Sequence, residues 1–468
     1  MKRLIKLSAM MLCIAPSLLF CACQNEDIPL TGQEGKILLE EIKLETSDQH
    51  SVTALDAATV ALKQLGRDIK KGRSASNYNI STVKDENGEP ALYIVNFDNN
   101  GGFVVVSAKR EINPVLAWNT EGQYVNTLNS GVQIWQDHMV KAIQNADAQE
   151  DSVKQINKRI WASMANEKVP EAITPMSANS SDEWTIAQQI LREHLMEWKN
   201  DGVDCYPLKD WEPRLQHYGP EKTYRNFDWE ECAYVVERVS NVRKDDIFIK
   251  TKWGQEYGFN YYCPKQNGQW PLAGCVPVAC GQLMYYYRFP SNYDWDNMAL
   301  NSATDASALL IAELGDAMNA KYGIDRTDVY IEECIKYLKS IGYNCHEEMS
   351  LNVAKMEQSM LNHKPILMRL TREDDYFIDQ HRIVVGGVGI SEINIVDDIM
   401  TFTTATKYET VASECIHSSR TVYFYLNWGW HGINDAFYLL NDIKTIDSET
   451  KETINWEASD AVYVEPNI

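Results

Sequence analysis

Cys275 stands in Gly274-Cys275-Val276-Pro277-Val278-Ala279-Cys280-Gly281-Gln282-Leu283-Met284, a turn that runs into a helical pattern. Pro277 fits the first turn of a helix, where its missing N–H costs nothing. Pro290 ends the apolar and aromatic run after Tyr287. The sequence therefore puts the thiol at or just before a helix N-terminus. Unpaired backbone N–H groups and the helix dipole favour negative charge there, and so favour a thiolate. A thiolate so placed is the start of a cysteine nucleophile. The plain alternative, commoner for an arbitrary cysteine, is a small buried apolar side chain.

A cysteine nucleophile needs a base that takes its proton and later returns one to the leaving amine. Histidine suits this because it titrates near neutrality. Downstream stand His346, His363, His381, His417 and His431. His381 opens the strand-like run Arg382-Ile383-Val384-Val385-Gly386-Gly387, so a rigid element would hold it. The base in turn needs an orienting partner. Asn427-Trp428-Gly429-Trp430 follows the strand pattern 421–426. Asn427 could accept from the imidazole N–H without adding charge, and Trp428 could shield that bond from water. A tetrahedral intermediate needs two donors, commonly the nucleophile's own N–H and a side-chain amide. Gln255, in Trp253-Gly254-Gln255, and Gln269 both precede Cys275.

The elements that must carry these groups form an α+β order, with a cysteine helix first and strands afterwards. Helical spacing covers 305–318, 330–341 and 351–361; strand patterns cover 365–368, 383–388 and 421–426. Upstream, a helix over 51–69, a hairpin around Asp98-Asn99-Asn100-Gly101, a strand at 115–118 and helical pattern over 131–164 make a small α+β module. That module carries no cysteine and no catalytic set. A linker-like stretch, 174–181, and a charged, aromatic segment over about 200–245 separate it from the larger domain.

The N-terminus reads as a targeting segment. Lys2, Arg3 and Lys6 precede an apolar run, 7–20, that is short for a membrane span. Ala22-Cys23 then has the form of a bacterial lipoprotein signal, with cleavage before Cys23 and lipidation of its thiol; plain secretion is the alternative. The net charge of −22 argues against a nucleic-acid partner. Of eleven cysteines, eight lie beyond the signal, none in a C-x-x-C zinc pattern, and the spacing assigns no disulfide.

These residues together resemble the streptopain-like cysteine peptidases, bacterial enzymes of papain-like fold made as zymogens. Trp253-Gly254-Gln255 resembles the family's glutamine motif. Cys275-Val276 with Gln282-Leu283-Met284 and the run to Pro290 resembles its nucleophile helix. His381 with Val384, Val385 and Gly387 resembles its histidine strand, and Asn427-Trp428-Gly429-Trp430 its asparagine segment. Gly102-Phe103-Val104-Val105-Val106-Ser107 and Pro114-Val115-Leu116-Ala117 resemble its pro-domain. The resemblance implies Cys275 as nucleophile, His381 as general acid/base, Asn427 and Trp428 as its supports, and Gln255 as oxyanion donor, with no cofactor and no metal. It implies a signal peptide over 1–22, a tether over 23–44, an inhibitory pro-domain over 45–175, a linker or activation region over 176–245, and a papain-like peptidase domain over 246–468.

Three departures stand out. His381 is flanked by Gln380 and Arg382 where the family has glycine and alanine, His431 replaces a glycine, and Ile324-Asp325-Arg326-Thr327-Asp328 replaces a glycine- and serine-rich binding loop. The leading expectation is an exported cysteine endopeptidase zymogen of the cell envelope, an outer-membrane lipoprotein or a form secreted after processing. It would act on protein or peptide substrates and be inhibited by its own pro-domain. The alternative is a catalytically impaired papain-fold surface protein that binds rather than cuts. A third reading replaces water by an amine acceptor, giving acyl transfer.

Overall fold

The computed structural model describes residues 28–30, 52–66, 78–125, 130–164, 204–207, 233–373, 378–404, 407–440, 445–446, 453–454 and 460–467. The signal segment, Cys23 and most of the stretch between 165 and 232 lie outside them.

The chain begins with a short strand β1 (Ile28–Leu30) and helix α1 (Ala54–Gln64). Thr53 and Asp56 cap α1 reciprocally: the Asp56 N–H donates to the Thr53 hydroxyl at 3.2 Å and the Thr53 N–H to the Asp56 carboxylate at 3.0 Å. An antiparallel meander follows: β2 (Tyr78–Lys84), β3 (Pro90–Phe97), β4 (Phe103–Ser107) and β5 (Val115–Asn119). The expected hairpin joins β3 to β4. Asn99 and Asn100 take φ of 56° and 58°, the left-handed pair that a tight hairpin turn requires. Two helices, α2 (Ser130–Gln144) and α3 (Asp151–Met164), take the place of the single long helical pattern, with a 3₁₀ turn at Ala146–Ala148 between them.

The stretch expected as linker contains β6 (Asp204–Pro207) and β7 (Ala233–Ile247), so the 176–245 segment ends inside a strand. The nucleophile helix α4 (Cys275–Tyr287) packs on α5 (Asp305–Ala317) and α6 (Ile331–Ser340) around Leu283, Ile311, Leu314, Cys334 and Leu338. Strand β8 (Tyr343–Glu348), helix α7 (Val353–Leu361) and β9 (Ile366–Glu373) lead to the longest strands, β10 (Ile378–Thr404) and β11 (Lys407–Asn427), then β12 (Ala436–Leu439). Two two-residue strands, β13 (Thr445–Ile446) and β14 (Thr453–Ile454), pair with each other, and β15 (Asp460–Pro466) returns between β9 and β8.

One sheet runs through both halves, in the order β1-β2-β3-β4-β5-β12-β11-β10-β9-β15-β8. Its junction is β5 against β12, where Trp118 opposes Phe437 and Ala117 opposes Tyr438. The Trp118 and Phe437 rings stack at 4.4 Å between centroids. The N-terminal module is thus hydrogen-bonded into the same sheet that carries His381 and Asn427.

Candidate active site

Gly274 starts α4 with φ of 97°, a conformation that glycine adopts without strain. A Cβ there would also lie 3.0 Å from the Thr327 side chain. Thr327 ties the 323–328 loop to the nucleophile turn: its hydroxyl donates to the Leu272 carbonyl at 2.6 Å and accepts from the Gly323 N–H at 3.2 Å. The loop that departs from the family pattern is therefore anchored beside Cys275. Arg326, Thr327 and Asp328 line a cavity of about 260 Å³ with Cys275, Arg369, Gln380 and Arg382.

Gln255 is buried, and its carbonyl accepts from the Ala273 N–H at 2.9 Å, two residues before the nucleophile. Gln269 instead sits in an exposed turn, bridged to Gln266 through backbone bonds. Of the two glutamines considered for the oxyanion, only Gln255 is joined to the nucleophile turn.

His381 is buried on β10 with Leu370 of β9 opposite. Its Nε2 lies 2.9 Å from the Trp428 carbonyl oxygen, so Nε2 carries the proton and donates. The two rings are tilted at 36° with centroids 6.4 Å apart. Asn427 does not hold this histidine. Its Oδ1 accepts from Gln282 Nε2 and from the Gly429 N–H, both at 3.0 Å, and its Nδ2 donates to the Thr251 carbonyl at 2.6 Å. Gln282 belongs to α4, so Asn427 is fixed on the nucleophile side of the sheet.

Strand alternation explains the separation. Side chains two apart share a face and neighbours oppose. Arg382 and Gln380 line the Cys275 cavity, and Val384 packs with Val276 and Val278 in the core beneath α4. Ile383 and Val385 join the other core, shared with the N-terminal module and Trp428. His381 lies on that second face. There Gly131, near the start of α2, comes so close that a Cβ on it would lie 2.5 Å from His381 Cδ2 and 2.8 Å from Trp428 Cε3. Arg382 is buried on the nucleophile side and pairs with Asp460 at 2.5 Å; Arg369 pairs with the same carboxylate at 2.6 Å. These three residues sit opposite one another on β10, β9 and β15.

The electrostatics follow from this placement. Burial pushes the Cys275 thiol up from its ordinary value. The Arg382 backbone N–H, the Arg382 charge and the N–H groups of Val276 and Cys275 itself pull the other way. The expected acidifying effect of the helix start is present in direction and is outweighed by burial. Asp435, which accepts from the Trp428 N–H at 2.9 Å, is pushed up by burial to about 7. His431 lies against Gly254, Tyr257 and Phe259, and burial lowers its pKa.

Gly131, Asp460 and Arg369 were not found by sequence reasoning, because their roles depend on distant contacts. Arg382 and Thr327 gave a signal as departures from the family pattern and Gln282 as part of the nucleophile motif, but their partners did not.

The Spi protease inhibitor family model matches residues 49–143, and the Peptidase C10 family model matches residues 253–293 and 291–438. Among solved structures, the chain is similar to a fragment of Prevotella intermedia prointerpain A. The identity is 15%, coverage is 82% of this chain and 98% of that one, and the TM-score is 0.42. It is also similar to the active wild-type interpain A cysteine protease of Prevotella intermedia. Here the identity is 17%, coverage is 47% of this chain and 94% of that one, and the TM-score is 0.33. No curated protein matches. The chain thus carries a Spi-type inhibitor region followed by a C10, streptopain-like cysteine peptidase region.

Proposed function

We propose that the protein is an exported cysteine endopeptidase held latent by its own N-terminal domain. The observation that carries this is the approach of Gly131 to His381 and Trp428, with His381 on the face of β10 away from Cys275. The inhibitor segment supports that arrangement at three further points. The Asn119 side chain donates to the Asp435 carbonyl at 2.6 Å, Val125 and Asn434 exchange two bonds at 2.8 Å, and Trp135 donates to the Leu439 carbonyl at 3.2 Å.

In this reading residues 45–175 are the inhibitor, 246–468 carry the peptidase, and the cut falls between them. Removal of α2 frees the space that Gly131 fills. His381 and Arg382 then exchange faces at the start of β10, bringing the imidazole to Cys275 and within reach of Asn427. The thiolate attacks the scissile carbonyl; the Gln255 side-chain amide and the Cys275 N–H receive the oxyanion. His381 protonates the leaving amine, and water, deprotonated by His381, releases the acyl-enzyme.

Export and anchoring rest on the basic and apolar segment ahead of Ala22-Cys23. Labelling with a clickable fatty acid should mark the wild type and not Cys23→Ala. Equal labelling of both would remove Cys23 as the anchor.

The test of latency uses the chain from residue 24 onward, alone and with trace trypsin, beside Cys275→Ala. The wild type should trim to a stable core of about 25–30 kDa, as domain sizes imply, and then cleave casein while the variant stays inert. A trimmed wild type that neither cuts casein nor reacts with a thiol-directed inhibitor would overturn the proposal.

A further inference from the structure

Cys280 of α4 and Cys334 of α6 are both fully buried, with their sulfurs 3.1 Å apart. The two residues are 54 apart in sequence and meet only because α4 and α6 pack against one core. The Cys334 thiol and burial make ionisation of Cys280 harder, and Cys345, half-buried on β8, is near enough to add to that effect. The cavity lined by Cys275 has no other cysteine in its lining.

We propose that Cys280 and Cys334 form a disulfide that ties the nucleophile helix to the wall of the substrate cleft. That wall is the start of α6: Tyr330, Ile331 and Glu332 line the cavity with Cys275. The oxidant is a low-molecular-weight or protein disulfide. One thiolate attacks a sulfur of the oxidant, forming a mixed disulfide and releasing one thiolate. The second cysteine, as thiolate, attacks the protein sulfur of the mixed disulfide and releases the other. The protein pair loses two electrons and two protons; the oxidant becomes two thiols. Full burial places this step during folding, before α4 and α6 close over the pair. The bridge leaves Cys275 free, which a cysteine nucleophile in an oxidising compartment requires.

The test reads mass, so it stands apart from whether the protein cuts peptides. The full chain is exported to the periplasm of a bacterial host, and separately refolded from the reduced state in a glutathione redox buffer. Both samples are acid-quenched, alkylated in denaturant without reductant and mapped by mass spectrometry. A Cys280–Cys334 linked peptide with Cys275 alkylated is expected in both. A reductant should lower the unfolding midpoint of the wild type by several degrees and leave C280A/C334A unmoved. Alkyl label on both Cys280 and Cys334, or a Cys334–Cys345 link in their place, would overturn the proposal.

Discussion

The two faces of β10 at positions 380–385 are a contrast in what holds them. On the nucleophile face, Gln380, Arg382 and Val384 meet Cys275, Asp460 and the core beneath α4, all supplied by the peptidase half. On the opposite face, His381, Ile383 and Val385 meet a core that includes Trp118, Trp135 and the start of α2, supplied by the inhibitor half. On the proposed account, processing leaves the partners of the nucleophile face in place and removes part of those of the histidine face. Latency on this account is a matter of which side of one strand a side chain takes. No blocking group over the cysteine is needed.

Changes on the histidine face should weigh most on activity. His381→Ala should lower kcat of the trimmed enzyme by roughly 10²–10⁴, the range for loss of a general acid/base, measured against a fluorogenic peptide. A loss under tenfold would move the base to another residue. On the nucleophile face, Arg382→Ala leaves Asp460 with Arg369 alone. It should cost the latent protein about 3 kcal/mol, the low end for breaking a buried ion pair, seen as a lowered denaturant midpoint. Since the Arg382 charge favours the thiolate, the same variant should also alkylate more slowly at Cys275 in the latent form. Gly131→Val puts atoms into the space occupied by His381 and Trp428. Overpacking of about 1–3 kcal/mol should speed conversion by tenfold or more, read as the half-time of trimming. Slower conversion would mean that α2 tightens on the site.

The smallest expected effect is that of pH on the joint between the halves. Asp435 titrates near 7 when buried, against about 4 when exposed. The buried carboxyl thus holds a proton that an exposed one releases between those values. The closed interface is favoured below that window and loses the advantage as pH rises through about 7. Conversion should accelerate from pH 5 to pH 8, and Asp435→Asn should flatten that dependence. A slope unchanged in the variant would assign it to another group.

Much of this fold was legible in the chain. Period and turn chemistry located the helix at Cys275, the hairpin at Asn99-Asn100 and the strands that carry His381 and Asn427. The inhibitor module was legible as a separate α+β unit, but its incorporation into the peptidase sheet through Trp118 and Phe437 was not. A strand pattern does not say which distant edge it will join. The 176–245 stretch hid β7, since a charged strand beside a long partner lacks clear alternation. At the site, residue types were readable and orientation was not. The motif order implied a histidine beside a cysteine. One residue of alternation, with Arg382 taken inward by Asp460, puts His381 on the other face. The Cys280–Cys334 contact was equally invisible, because spacing along the chain carries no information about helices that meet across 54 residues.

The most direct test is the pH profile of Cys275 alkylation before and after removal of the inhibitor half, followed by peptide mapping in wild type and His381→Ala. In the latent protein the thiol should react only at alkaline pH, with the same profile in both. After trimming, the wild type should gain a reactive limb reaching below about pH 7, as a histidine-paired thiolate does, and His381→Ala should lack it. A latent wild type that already shows that limb, lost in His381→Ala, would mean that the pair is assembled from the start and would contradict the account.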